Sequence, residues 1–543
     1  MNSSIKQTAK QAVGNFFVCL IAMLSSVLLF AASFPNPLFS NGLPFLAWVA
    51  YAPVFWLLYR VNIGASVFWG ALYGYTSYGL FNYWLTLFHP MAGLIVNGIY
   101  LAFFAVLFPF LKLAVLLFPK RGYILQWLFW MVFEYLRTLG FVGYPYGITG
   151  YSQWAVLPLI QIAAVFGVWG VSALVVFPSA FMASLFKGEL PRLAPPIKEF
   201  FRRERWSLIL WAVAVAAALV YGFVSPLNYG GKPTVSVALI QHNTDPWRGD
   251  IFSYRQNFRV LKRLSDEALA AEKKPDLVVW SETAFVPRIY WHQTYRDDQE
   301  SWVLVKELLD YLAQQPVPFV IGNDDGRKEY NKEGRLEEVD YNAVILFEKS
   351  EMAQIYRKQR LVPFTEHFPY QKQLPWFYDA LVKADTHFWK KGTESTVFES
   401  RGVKFSSPIC FEDTFGYLSR DFVRNGAELI VNLSNDAWSH SLTAQMQHFS
   451  MAVFRAVENR RALVRSTASG QTCAIDPNGK VLAMAEPFTE AWLTAEVPLL
   501  DGISIYTRHG DYLPRVFIIL AIMMLITGVV LCILKYQKIR KNS

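Results

Sequence analysis

Residues 403–426 read VKFSSPICFEDTFGYLSRDFVRNG. VKFSSPIC has the alternating, β-branched and aromatic character of a strand, and FEDTFGYLSRDFVRNG that of a helix. The sequence therefore predicts a strand-to-helix junction at Cys410. A thiol there gains from the positive end of the helix dipole, which lowers its pKa and favours thiolate. Main-chain N–H groups at such a turn also bind a developing oxyanion. The plainer alternative is a buried, inert cysteine.

The pattern repeats on both sides of this junction. TVSVALIQ (234–241), PDLVVWSE (275–282), PFVIGN (318–323), YNAVILFE (341–348) and AELIVNLS (427–434) read as strands. Helical spacing marks 253–272, 300–314 and 444–461, and CAIDPNGKVLAMAE (473–486) reads as a hairpin. Strands alternating with helices predict layered α/β packing with helices covering sheet faces. Glu282 ends PDLVVWSE, and Lys358 lies in the polar YRKQR just after EMAQIY. A carboxylate takes a thiol proton and a lysine cation stabilises an oxyanion, so Glu282, Lys358 and Cys410 form a candidate catalytic set. Taken singly, each is equally a solvated loop residue.

The rest of the chain is different. About the first 227 of 543 residues are almost continuously apolar, whereas 229–510 have mixed composition. A membrane-crossing helix needs ~20 mostly apolar residues. Eight candidates fall near 13–33, 44–59, 65–88, 93–118, 124–141, 157–185, 207–225 and 513–534. The first is read as a retained anchor rather than a cleaved signal. The basic residues arrange themselves around these spans. Lys6, Lys10, Arg60, Lys120, Arg121, Lys187, Arg192, Lys198, Arg202, Arg203, Arg205, Lys535, Lys538, Arg540 and Lys541 fall on one side. The loops near 34–43, 89–92 and 142–156 hold neither Lys nor Arg. The positive-inside rule then predicts cytoplasmic termini and an extracytoplasmic 229–510. The expected organisation is a polytopic α-helical membrane domain over 1–228, a globular domain over 229–510, and a last span with a basic tail over 511–543. Glu134 and Arg137, one turn apart in the fifth span, are expected either to pair or to snorkel at a helix end.

The net charge of +9 comes largely from those flanking segments and not from a basic stripe interleaved with aromatics, which excludes nucleic-acid binding. Of four cysteines only Cys410 and Cys473 fall in the globular part, leaving a Cys410–Cys473 bridge as an alternative to a reactive thiol. The segment 369–390 gathers Trp376, Phe377, Tyr378, Phe388 and Trp389, the make-up of a mobile lid touching the bilayer interface or of a loop with its own small cluster.

VVWSETAF around Glu282, YRKQRLVPFTEHFP around Lys358 and PICFED around Cys410 resemble the three active-site motifs of the nitrilase superfamily. Glu282 lies 76 residues before Lys358, which lies 52 before Cys410, and that order and spacing fit. LSNDAW (433–438) and MAVFRAVENRRALVRSTASG (451–470) are similar too. With the span pattern, the whole chain resembles the bacterial apolipoprotein N-acyltransferases.

The resemblance implies a nitrilase-like αββα sandwich. It assigns Glu282 as general base, Lys358 as oxyanion stabiliser and Cys410 as nucleophile, with Glu366 and Glu412 supporting. Trp247 and Trp438 match aromatic positions near the acyl and lipid region, and core packing is the other reading of both. It further implies a phospholipid acyl donor, a Cys410 thioester and a diacylated apolipoprotein acceptor in the bacterial inner membrane. No metal or dissociable cofactor is called for. Thr365 stands where glycine is usual, His242 replaces glycine in QHN, and Ser439 and His440 follow Trp438 in place of an aromatic-glycine pair. RRALVRSTASG lacks the common proline. A membrane-anchored amidase that passes the acyl group to water and a non-catalytic lipid-binding scaffold are the rival expectations.

Overall fold

The computed structural model describes residues 2–88, 90–186, 197–244, 249–331, 333–383 and 386–542. The chain divides into two compact units, Met1–Ser225 with Asp511–Ser543, and Pro226–Gly510.

The first unit is helical. Among the described residues five helices are long and apolar enough to cross a membrane: Lys10–Ser33, Met91–Leu117, Val168–Phe186, Phe201–Val224 and Tyr512–Lys541. The other expected spans take shorter or less apolar forms. Residues 44–59 become a 3-10 turn, Pro44–Trp48, and a helix, Ala52–Arg60, with proline in the first turn of each. Ile63–Phe81 is rich in Gly, Tyr and Ser, and Gly122–Leu136 is only 15 residues long. Residues 157–185 break into Leu157–Ile160, Ala163–Phe166 and Val168–Phe186.

Glu134 and Arg137 neither pair directly, among the described residues, nor snorkel: both are buried. Arg137 Nη1 donates to Tyr100 Oη (2.6 Å), Tyr144 O (3.0 Å) and Tyr146 O (2.9 Å). Glu134 Oε1 accepts from Thr149 N at 3.0 Å and from the Thr149 hydroxyl. The two charges thus satisfy the irregular backbone of 144–149, which an apolar setting would otherwise leave without partners.

The second unit is built from β1 (Thr234–Gln241), β2 (Leu277–Trp280), β3 (Phe319–Tyr330), β4 (Leu336–Glu348), β5 (Glu351–Arg357) and β6 (Val397–Ser400). It continues with β7 (Val403–Ser406), β8 (Leu429–Ser434), β9 (Ala462–Thr467), β10 (Cys473–Ile475), β11 (Val481–Met484) and β12 (Ala491–Pro498). They form two six-stranded sheets, ordered β12-β1-β2-β3-β4-β5 and β11-β10-β9-β8-β7-β6. Each has three parallel strands, β1-β2-β3 or β7-β8-β9, flanked by antiparallel ones.

Alternation along the strands separates two cores. Val235, Val237 and Leu239 face Val431, Leu433, Ala462 and Val464 between the sheets. Ala238 and Ile240 face outward to Phe258, Leu261 and Leu264 of helix Ile251–Ala270 and to Leu304 and Leu308 of helix Gln299–Ala313. Each large aliphatic side chain so buried contributes ~1.5–3 kcal/mol. Helix Leu442–Asn459 packs on β9, and helix Gly416–Arg424 packs against that helix. The result is the four-layer αββα sandwich. Ser466 of β9 ties the sheets together, its hydroxyl lying 3.1 Å from both Ile240 O and Val279 O.

Candidate active site

Glu282 follows β2 by two residues. There the neighbouring strand comes so close that a Cβ on Gly322 of β3 would lie 2.5 Å from Ser281 O and 2.7 Å from Glu282 Cα, so only glycine fits. Thr283 completes the bend with φ 48°. The Glu282 carboxylate is held from three directions. Its Oε1 accepts from Asn342 Nδ2 (2.8 Å) and Lys358 Nζ (3.1 Å), and its Oε2 accepts from Asn435 N (2.9 Å).

Lys358 stands just beyond β5, its N–H donating to Asn342 O at 2.8 Å and its carbonyl accepting from Gly392 N at 2.8 Å. The side chain is wholly enclosed, and Nζ also donates to Glu366 Oε1 at 2.8 Å. Burial alone would favour the neutral amine. The carboxylates of Glu282 and Glu366 outweigh it and hold the ammonium well above the usual lysine range. Glu366 is in turn oriented by Val362 N at 2.8 Å, and burial pushes its carboxyl up.

Cys410 is half-buried at a backbone elbow with φ 48°, a conformation that costs a non-glycine residue of order 1 kcal/mol and is kept only where the surroundings impose it. Here one expectation fails. A five-residue 3-10 turn, Cys410–Thr414, follows the cysteine, and the helix proper begins only at Gly416. Burial first, and then the carboxylates of Glu282 and Asp436, push the thiol well above its ordinary pKa against the pull of Lys358. That direction opposes the thiolate expected of a helix N-terminus. The disulfide alternative also falls, since Cys410 and Cys473 are both unpaired and Cys473 is buried in β10.

Glu412 links the two halves of the site. Its Oε1 accepts from Gln359 N (2.6 Å) and Arg360 N (2.8 Å), its Oε2 from Ile409 N (2.8 Å), and Tyr356 Oη lies within 2.9 Å of both oxygens. One carboxylate thereby fixes the turn carrying Cys410 against the loop carrying Lys358.

The tryptophans separate. Trp247 lies outside the described residues. Trp438 is half-buried in the turn Ala437–Ser439, three residues after the Asn435 that donates to Glu282. Trp376, on helix Pro375–Lys383, is 68% exposed. Trp389 turns inward instead: its N–H donates to Glu366 O (3.0 Å) and its indole Nε1 to Asp324 Oδ1 (3.2 Å).

The departures from pattern also find places. Thr365 needs no glycine because the left-handed residue of that turn is Phe364, at φ 67°. His242 is buried, pushed down to about 4 by desolvation, with Nδ1 3.4 Å from the Ser281 hydroxyl beside Glu282. Ser439 is buried, its hydroxyl on Asp436 O.

Sequence reasoning passed over Asn342 and a second buried charged group near Cys410. Asp413 lies three residues past Cys410 and accepts from His448 Nε2 at 2.7 Å and from Arg465. Asp436 approaches His448 Nδ1 at 3.1 Å and Arg465 Nη2 at 3.2 Å, and Ser434 Oγ at 3.1 Å. These carboxylates hold His448 as a cation, its pKa raised to about 9. Asp413 and Asp436 sit inside the quoted motifs, but nothing in the sequence joins them to His448 or Arg465. Among the described residues no group of three or more His, Cys, Asp or Glu is placed to hold a metal ion.

A carboxylate, an enclosed ammonium and a thiol at converging strand ends can support acyl transfer through sulfur. Residues 236–505 match the carbon-nitrogen hydrolase family, and residues 25–181 match the apolipoprotein N-acyltransferase N-terminal domain. Apolipoprotein N-acyltransferase 1 of Treponema pallidum is 47% identical over 96% of this chain and 97% of its own length. Apolipoprotein N-acyltransferase 1 of Treponema denticola is 44% identical over the same shares. Among solved structures, Saccharomyces cerevisiae Nit3, of the nitrilase superfamily, is 20% identical with a TM-score of 0.36, covering 49% of this chain and 90% of that one. With a likeness that runs through both units at this level of identity, the chain belongs to the apolipoprotein N-acyltransferase family.

Proposed function

We propose that this chain, a multi-pass membrane acyltransferase, moves an acyl chain from a phospholipid to Cys410 and then to the α-amino group of a diacylglyceryl-modified cysteine at an apolipoprotein N-terminus. The observation that carries this is the enclosed Lys358 ammonium, bracketed by Glu282 and Glu366 and acting on the Cys410 thiol.

In the first step Glu282 takes the thiol proton as sulfur attacks the ester carbonyl, and Lys358 stabilises the oxyanion. The C–O bond breaks, the proton passes from Glu282 to the leaving oxygen, and a lysophospholipid departs. In the second step the amine nitrogen attacks the thioester, the C–S bond breaks and the amide forms. Glu366 keeps Lys358 oriented, and Glu412 keeps Cys410 and Lys358 in register. The exposed Trp376, together with Trp438 and Trp247, is assigned to lipid contact, where indole rings are favoured. Trp389 ties its segment to the Glu366 backbone and to Asp324.

The loop charges support a bacterial inner-membrane protein with both termini cytoplasmic, seven crossings before residue 229 and the catalytic unit on the extracytoplasmic side. The shorter helices Ala52–Arg60 and Gly122–Leu136 would cross with their adjoining segments.

Incubating the full chain with labelled phospholipid should put label on Cys410, and a diacylated lipopeptide should then carry it away as an amide. Label released only to water would instead mark a hydrolase, and no label at all a scaffold. Cys410→Ser should take up no thioester.

A further inference from the structure

Asp324 of β3 lies beside the catalytic carboxylate. It pairs in register with Asn342 of β4, so the two side chains share a sheet face, and Asn342 Nδ2 donates to Glu282 Oε1 at 2.8 Å. Its neighbour Asp325 turns to the other face and is matched by Arg327 (2.7 Å) and Arg357 (2.7 Å). Asp324 has no such cation. Among the described residues its one hydrogen bond is from Trp389 Nε1, at 3.2 Å, and it is only partly buried.

The charged groups facing it are Glu282 after β2, Asp340 on β4 and His387 on the segment that carries Trp389. His387 is drawn to Asp340 at 3.4 Å, which Arg288 also holds at 2.9 Å. Among the described residues the Asp324 carboxylate beside the reaction centre thus forms no ion pair of its own: the nearest cation, His387, is committed to Asp340, and the Trp389 indole is its hydrogen-bond donor.

We propose that Asp324 binds the acceptor's primary ammonium group beside the Cys410 thioester and takes its first proton. This rests on the acyl-transfer assignment above and specifies its second half. The acceptor arrives as R–NH3+, which has no lone pair to attack with. One N–H proton passes to Asp324, the freed nitrogen adds to the thioester carbonyl, and the C–S bond breaks with the electron pair leaving on sulfur. The remaining excess proton on nitrogen passes to Glu282, which returns it to the Cys410 thiolate. Desolvation, helped by Asp340 and Glu282 and opposed by His387 and the Trp389 hydrogen bond, pushes the Asp324 carboxyl up to about 7, close to the range of an α-amino group.

The test separates the half-reactions of the full chain. Thioester formation is read with labelled phospholipid alone, and aminolysis with a synthetic diacylated lipopeptide bearing a free N-terminus. Asp324→Asn should slow aminolysis at pH 7 at least tenfold more than it slows thioester formation. The gap should narrow towards pH 9, where the amine is neutral unaided, and Asp324→Glu should recover most of the rate. Equal slowing of both half-reactions, or aminolysis at the parent rate at pH 7, would overturn the assignment. Should Asp324→Asn fail to fold, Trp389→Phe carries the test. Losing that donor should raise the pH midpoint of aminolysis, and an unmoved midpoint would count against Asp324. A parent protein that forms no Cys410 thioester would sink the acyl-transfer assignment itself, a separate outcome.

Discussion

Two buried charge clusters act on Cys410, and they are built on opposite plans. Asp413, Asp436, His448 and Arg465 set two carboxylates against two cations, each bonded to both opposites. Glu282, Lys358 and Glu366 set two carboxylates against one cation. The balanced cluster holds its charges firmly, with the Asp436 carboxyl below its ordinary range and the His448 imidazole above its own. In the unbalanced one burial prevails, and the Glu366 carboxyl and Cys410 thiol are both pushed up. Balance makes a clamp, and a deficit of one cation makes a site ready to accept a proton. The clamp also serves the site: through Asp436 it anchors the loop whose Asn435 N–H holds Glu282, and through Asp413 it anchors the turn after the nucleophile.

Removing a member from each cluster should therefore produce different failures. Lys358→Met should cost activity most, about a thousandfold or more in thioester formation, because the oxyanion loses its main partner. Its melting temperature should fall little, since either glutamate can take up a proton in compensation. Rate and melting curve measured on the same sample check the pair, and a large loss of stability would erase the distinction. Arg465→Met should do the reverse, destabilising the fold by ~3–5 kcal/mol because two buried carboxylates are left with one cation. Denaturant or thermal unfolding of the full chain reads this directly.

Gly322→Ala tests the geometry between the clusters. The new methyl group must displace the Ser281–Glu282 backbone, and a shift approaching 1 Å should slow turnover by about 10–100-fold at near-parent substrate affinity. The smallest effect is a pH dependence of the clamp. The folded pKa of His448, about 9, lies above its ordinary 6.5, so its stabilisation is complete below 6.5 and is lost as pH rises through 9. Melting temperature should decline over that window in the parent and decline less in His448→Gln.

Much of the sandwich was legible because β1, β4 and β8 carry unbroken apolar or alternating runs and the outer helices show a single apolar stripe. Strand β3 was underestimated. NDDGRKEY (323–330) has the composition of a turn, yet it stays extended because β4 pairs with it along its length and Arg357 and Lys390 from elsewhere match Asp325 and Glu329. That hid Asp324. Strand β9 was missed because ALVRST carries Arg465 in a fully buried run, and only the distant Asp413 and Asp436 make that arginine acceptable there. Glu282, Lys358 and Cys410 were legible through their strand-end motifs, whereas Asn342 and His448 have no local signal, since their partners lie 60 and 35 residues away. In the helical unit, apolar length alone did not foresee that residues 44–59, with prolines in the first turns of both pieces, and residues 157–185 would fall into shorter pieces.

The enclosure of Cys410 has a chemical consequence beyond transfer. Peroxide, alkylating agents and stray disulfides all react with thiolate, and a thiol kept protonated by burial and by neighbouring carboxylates offers them little. Cys473, pushed up to about 12 within its strand, is equally withdrawn. In an oxidising compartment a thiol so held would stay reduced without a protecting partner, and under the mechanism proposed above it would become a nucleophile only when an ester carbonyl sits over it and Glu282 draws off the proton.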